Sequence, residues 1–90
     1  MKKLEKIFKA LANKKRLNIL AFLNKEERAS LGEIAEEINT SIKATSKHLL
    51  ILYHAEFLEK ERVHGLTFYE LGDKLGEIEK ALFNLLKKHF

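Results

Sequence analysis

Cysteine and proline are both absent from this 90-residue chain. Without a thiol there is no disulfide, no thiolate metal site and no cysteine nucleophile, a composition that fits a bacterial or archaeal cytoplasm. Abundant Lys and Glu suit a heat-tolerant host. No apolar run approaches the ~20 residues of a membrane span. The lysine-rich start lacks the apolar stretch and small-residue cleavage pattern of a secretory signal. The chain therefore reads as cytoplasmic, with no membrane partner. Repeats, linkers and low-complexity stretches are missing too, so residues 1–90 form one domain. A domain this short buries only about 60–70% of its unfolded surface, which leaves a thin core and makes further burial against a partner an expectation. There is no Ser/His/Asp set, phosphate loop or metal-ligand cluster, so the residues point away from an enzyme and call for no cofactor and no metal.

What charge there is has a pattern. Seventeen basic residues against thirteen acidic ones leave a net +4, which favours polyanions without the excess of a basic tail. The positive field is local. Lys2, Lys3, Lys6, Lys9, Lys14, Lys15 and Arg16 face Glu5 alone in the first sixteen residues, whereas Glu33, Glu36 and Glu37 cluster in mid-chain.

Hydrophobic spacing predicts four helices, a hairpin and a last helix. Leu4, Ile7, Phe8 and Leu11 form a stripe on a basic helix over Lys2 to Ala12. Asn13 caps a second helix over Lys14 to Leu23, with Leu17, Leu20 and Leu23 inward and Ile19 and Phe22 widening that face. A loop over Asn24 to Ala29 follows. Ser30 and Glu33 form a capping box, and Leu31, Ile34, Ala35 and Ile38 keep the i, i+3, i+4, i+7 pattern of a short third helix. Asn39, Thr40 and Ser41 turn the chain into a fourth helix, which makes residues 30–54 a helix-turn-helix unit. Two segments of mixed polarity, Phe57 to Val63 and Leu66 to Leu71, are separated by His64-Gly65, a tight hairpin signal. Gly72 and Asp73 lead into the final helix, Lys74 to His89. The fold class is mainly α with a small β-hairpin (α+β), in the order α-α-α-α-β-β-α: a winged helix-turn-helix with its wing at 57–71.

Residues Ser41 to Leu52 carry the functional signal. At about 100° per residue, Ile42, Thr45, Leu49 and Leu52 gather on one side, while Lys43, Ser46 and Lys47 project from the other. No acid lies between Thr40 and Ala55. A helix that merely filled a core would not need that second side, so it reads as a DNA recognition helix. Lys43 and Lys47, one turn apart, can reach guanine O6 and N7 or a phosphate. Ser41 and Ser46 can donate to phosphate or base edges, with Ser41 also the helix cap, and Ala44 can meet a thymine methyl. Thr45 is expected in the core with its hydroxyl bonded back towards Ser41, and Tyr53 and Tyr69 as packing residues. Lys14, Lys15 and Arg16 open the second helix, whose free amides and basic side chains together attract a phosphate. At the hairpin, Arg62 reads as a phosphate contact, and His64 as either a plain surface residue or a minor-groove contact.

Two segments carry a likeness to a known family. Phe8-Lys9-Ala10-Leu11-Ala12-Asn13-Lys14-Lys15-Arg16-Leu17-Asn18-Ile19-Leu20 resembles the opening of ArsR-family repressors: a small-residue pair, a capping residue, Arg-Leu and Ile-Leu in that order. Ser41 through Leu52 is similar to the family's recognition helix, with Ser46, His48-Leu49 and Leu52 in place. The resemblance covers nearly the whole chain. It implies a homodimer, joined through helices 2–12 and 74–89, that sits on a two-fold operator in double-stranded DNA and represses transcription. It also makes Arg16 the preferred phosphate contact of its turn and His48 a phosphate or base contact.

Departures from the family pattern are informative. Where the best-known metal sensors carry a cysteine pair, this chain has Leu31-Gly32-Glu33-Ile34, which rules out thiophilic metal or arsenic sensing. A zinc site of Asp73, Glu77 and His89 is rejected because His89 lies about four turns on and off their face. Position 50, often basic in the family, is Leu50, and Glu59, Glu61 and Glu70 dilute the basic wing. The residues identify no small-molecule effector.

The dimer contact is assigned to Leu4, Ile7 and Phe8 with Ile78, Leu82, Phe83, Leu85 and Leu86, because the apolar surface of the last helix is wider than one contact face requires. Two-fold pairing buries the same patch twice and sets paired recognition helices about 34 Å apart. The alternative is a protein-interaction or adaptor module in which Leu50 and Ile51 dock a partner.

Overall fold

The computed structural model describes the backbone of residues 2–89 and the side chains of residues 2, 4–81 and 84. Five helices and three short strands follow in the order α1 (Lys2–Leu11), α2 (Lys14–Glu26), β1 (Arg28–Ser30), α3 (Leu31–Glu37), α4 (Ile42–His54), β2 (Leu58–Val63), β3 (Leu66–Leu71) and α5 (Lys74–His89). Among the described residues no helix is long and apolar enough to cross a membrane.

Local chemistry sets most of the boundaries. Asn13 is extended and its side chain accepts from the Arg16 amide at 3.1 Å, starting α2. The Ser30 hydroxyl accepts from the Glu33 amide at 3.2 Å while the Glu33 carboxylate accepts from the Ser30 amide at 2.8 Å, so the expected capping box is present. These bonds favour the ionised carboxylate and lower the Glu33 pKa. Ser41 caps α4 by accepting from the Ala44 amide at 3.1 Å. Both helices of the helix-turn-helix end on a left-handed residue, Asn39 (φ 52°) and Glu56 (φ 67°). The next amide then reaches back five residues, Thr40 to the Ala35 carbonyl at 3.0 Å and Phe57 to the Leu52 carbonyl at 2.9 Å. In the wing, Val63 pairs with Leu66, and His64 and Gly65 both have positive φ, the signature of a type I′ two-residue turn.

The sheet differs from the sequence expectation. The stretch over Asn24 to Ala29 is not a loop: α2 runs on to Glu26, and Arg28–Ser30 forms a third strand. It pairs with β3 in the register Arg28↔Glu70, Ala29↔Tyr69 and Ser30↔Phe68, giving an antiparallel sheet ordered β1-β3-β2. Three residues are too few to show alternation, and their partner lies some forty positions away, so no local pattern marks this strand.

The core forms where α2, α3, α4 and the sheet meet, from Ile19, Leu20, Leu23, Ala29, Ile34, Ile38, Leu49, Leu52, Ala55, Phe57 and Leu58, with Leu75 and Ile78 of α5 packed against it. Two residues expected inside lie outside. Leu17 is half-exposed because Ile19, Leu20 and Leu23 set the inward face, and at about 100° per residue Leu17 sits more than ~100° from its centre. Ile42 is in the first turn of α4, where side chains tilt towards the helix start and beyond the packed body; it is half-exposed too. Thr45 is fully buried as expected, but its hydroxyl has no hydrogen-bond partner among the described residues; only its amide reaches Ser41, bonding the carbonyl at 2.9 Å.

Candidate nucleic-acid interface

Helix α4 turns Thr45, Leu49 and Leu52 into the core, and this leaves Lys43, Ser46 and Lys47 exposed on the opposite side. Among the described residues neither lysine is paired with a carboxylate, so both ammonium groups stand free of the fold. Ser41 is exposed and Ala44 half-buried at the start of the same helix, the Ser41 hydroxyl being engaged as the cap.

His48 is half-buried on the flank of α4. Its Nδ1 lies 3.2 Å from Nη1 of Arg16. A guanidinium has no lone pair to offer, so Nδ1 accepts and the ring proton sits on Nε2. Burial first, and then the charges of Arg16 and Lys15, lower the His48 pKa below the ordinary value of 6.5. The ring is therefore neutral, with one N–H directed away from Arg16 as a donor. In the unfolded chain the ring regains its ordinary pKa and takes up a proton first, so stability should fall as pH drops through and below 6.5. Denaturant titrations on either side of that value check this, and the His48→Gln variant should lose that part of the pH dependence.

Arg16, expected as a phosphate contact, is bonded within the fold. Its Nε donates to the Ala10 carbonyl at 2.8 Å and its Nη2 to the Lys9 carbonyl at 2.9 Å. These are last-turn carbonyls of α1, the one of Lys9 also accepting from the Ala12 amide at 3.3 Å, and a cation at a helix C-terminus also meets the negative end of the helix dipole. With the bond to His48, one guanidinium ties the end of α1 to the recognition helix. Lys15 is likewise engaged: its ammonium donates to the Ile38 carbonyl at the end of α3, which also accepts from the Thr40 hydroxyl at 3.1 Å. Of the basic turn opening α2, Lys14 is the exposed member with no bonded partner among the described residues.

The wing carries internal pairings that sequence alone does not reveal. Arg28 of β1 lies over the Phe68 ring at 4.5 Å and faces the Glu61 carboxylate at 3.7 Å, and the Lys60 ammonium sits 4.2 Å above the Tyr53 ring. Arg62 and, at the turn, His64 remain exposed. Among the described residues no three His, Asp or Glu side chains converge as metal ligands.

A recognition helix held by a guanidinium on one side, a short cap-to-cap turn before it and a hairpin wing with a two-residue turn after it form a winged helix-turn-helix. Residues 11–61 match the family model described as a helix-turn-helix domain. The arsenical resistance operon repressor of Bacillus subtilis (strain 168) is 32% identical over 74 residues, spanning 82% of this chain and 70% of that protein. The chain belongs to the ArsR family. Among solved structures of ArsR-like folds, NolR from Sinorhizobium fredii superposes with a TM-score of 0.77 at 29% identity, covering 93% of this chain and 84% of that one. The homodimeric winged helix-turn-helix DNA-binding domain of a possible ArsR-family regulator from Mycobacterium bovis has a TM-score of 0.78 at 22% identity over 98% and 82% of the two chains; this likeness is one of fold.

The apolar residues assigned to subunit pairing are placed unevenly. On α1 of this ArsR-family chain, Leu4 and Phe8 are 50% and 57% exposed, Ile7 is half-buried, and Ile78 of α5 packs against the core. Leu82, Phe83, Leu85 and Leu86 lie outside the described side chains, as does His89.

Proposed function

We propose that this ArsR-family regulator is a homodimeric, non-enzymatic repressor that places one α4 in each of two successive major grooves of a two-fold operator and acts in the cytoplasm. The observation that carries the reading is the pair of exposed ammonium groups, Lys43 and Lys47, on a helix without a single carboxylate. These side chains read base edges, with Ser46 and Ala44 beside them. The neutral His48 donates Nε2–H to a phosphate, Arg62 takes the backbone at the wing, and His64 enters the minor groove. Arg16 contributes mainly by position, holding His48 and α1, and Lys14 joins Lys15 at the phosphate facing the start of α2. Leu4 and Phe8 support the dimer: two large side chains half-exposed on one helix are covered when a second copy presents the same patch.

The test is a titration of duplex DNA, selected from random sequence by the purified protein, over a range of salt. Releasing several phosphate counterions per half-site makes log affinity fall linearly with log salt. Lys47→Ala should weaken binding by about 10-fold or more and relax the sequence preference at one position. A salt-independent affinity, or a Lys47→Ala variant that binds as the parent does, would overturn the reading.

A further inference from the structure

An open groove of about 600 Å³ runs between the end of α1 and the C-terminal half of α4. Its floor is Leu50 and Ile51, 51% and 41% exposed, and its rim carries Lys6, Lys9, Arg16 and His54. Such a volume, apolar lining and few convergent polar groups are the attributes of a small-molecule site.

The rim selects charge. The Arg16 guanidinium donates to two backbone carbonyls and an imidazole, all uncharged, so its positive charge is offset by no carboxylate among the described residues. Lys9 meets Glu5 at 3.4 Å, but both side chains are well exposed, and a pair of that kind exchanges readily for another anion.

The groove also stands apart from the surface offered for dimerisation. At about 100° per residue on α1, Lys6 and Lys9 are centred ~150° from Leu4 and Phe8. On α4 the position is the reverse. Leu50 and Ile51 follow Lys47 by three and four residues and share its face.

From this we propose that the groove binds an anionic amphiphile, a carboxylate with a medium-length acyl tail, and that binding opposes DNA. The tail covers Leu50 and Ile51, and the carboxylate sits among Lys6, Lys9 and Arg16. A negative charge held there repels the phosphates that Lys47 would approach, so the ligand acts as an inducer. The antagonism rests on the DNA-binding reading; the binding itself does not.

Dodecanoate below its micelle threshold is the probe, dodecanol the uncharged control, and Leu50→Gln with Ile51→Gln the variant, since both positions are exposed and the charge is unchanged. Calorimetry of the full chain should show saturable binding of dodecanoate, one site per chain. Binding should be at least tenfold weaker for dodecanol and for the variant. Saturating dodecanoate should lower operator affinity at least tenfold for the parent and leave the variant's affinity unaltered.

Absent or non-saturable binding, equal binding of dodecanol, or undiminished binding by the variant overturns the site. Loss of the dimer by the variant in sedimentation does the same, because the groove would then be a subunit contact. An operator affinity untouched by saturating dodecanoate overturns the antagonism. A chain that binds dodecanoate as described but no DNA leaves the site standing and sinks the repressor reading; one that binds DNA but no dodecanoate does the converse.

Discussion

Lys43→Glu combined with Lys47→Glu should lower operator affinity by about 1,000-fold at constant salt, roughly 4 kcal/mol, while leaving the melting temperature and the dimer intact. Both side chains are exposed and neither contributes to the core, so the fold has little to lose. Each lysine facing a base edge or phosphate contributes about 1–3 kcal/mol, and reversal adds repulsion from the phosphates on either side. Fluorescence anisotropy of labelled operator, run alongside a thermal melt, separates the two effects. An affinity within about twofold of the parent would mean that α4 presents a different face to the duplex.

The second large effect is on stability. Phe57→Ala should destabilise the chain by about 3–5 kcal/mol, a large part of the ~5–15 kcal/mol available to a domain of this size. Phe57 is fully buried, its amide closes the end of α4 on the Leu52 carbonyl, and its carbonyl accepts from the Gly72 amide at 2.9 Å where the wing returns to the body. Truncating the ring opens a cavity in the core where the recognition helix meets the wing. Gly72 packs closely here: an added Cβ would stand 3.4 Å from the Glu56 carbonyl oxygen and 3.6 Å from that of Phe57. Urea denaturation of the two proteins measures the difference, and a loss below about 1 kcal/mol would show that the neighbours collapse into the space.

In the sequence Phe57 reads only as the first residue of a wing strand. A residue at the boundary between two elements belongs to neither periodicity, so nothing in the spacing announces that it is a fully buried core residue. The same limit explains Arg16 and Lys15. Their positions in a basic first turn suggested free cations, yet the acceptors that hold them are carbonyls at the ends of α1 and α3, which only chain packing brings within reach. Thr45 shows the opposite limit. Its burial followed from the stripe it shares with Leu49 and Leu52, but the direction of a hydroxyl depends on rotamer and neighbours, and here it has no partner among the described residues.

What the sequence determined by itself is everything governed by contacts within a turn or two: the caps at Asn13, Ser30 and Ser41, the His64-Gly65 hairpin, the extent of α5, and the lysine-bearing face of α4. These depend on side chains and amides three or four positions apart, whose geometry hardly changes with context. Tertiary structure alone decided the third strand at Arg28–Ser30, the burial of Phe57, the exposure of Leu17 and Ile42, and the bond from Arg16 to His48. Each of these joins or excludes groups distant in the chain, and its free energy exists only once the core has brought them together.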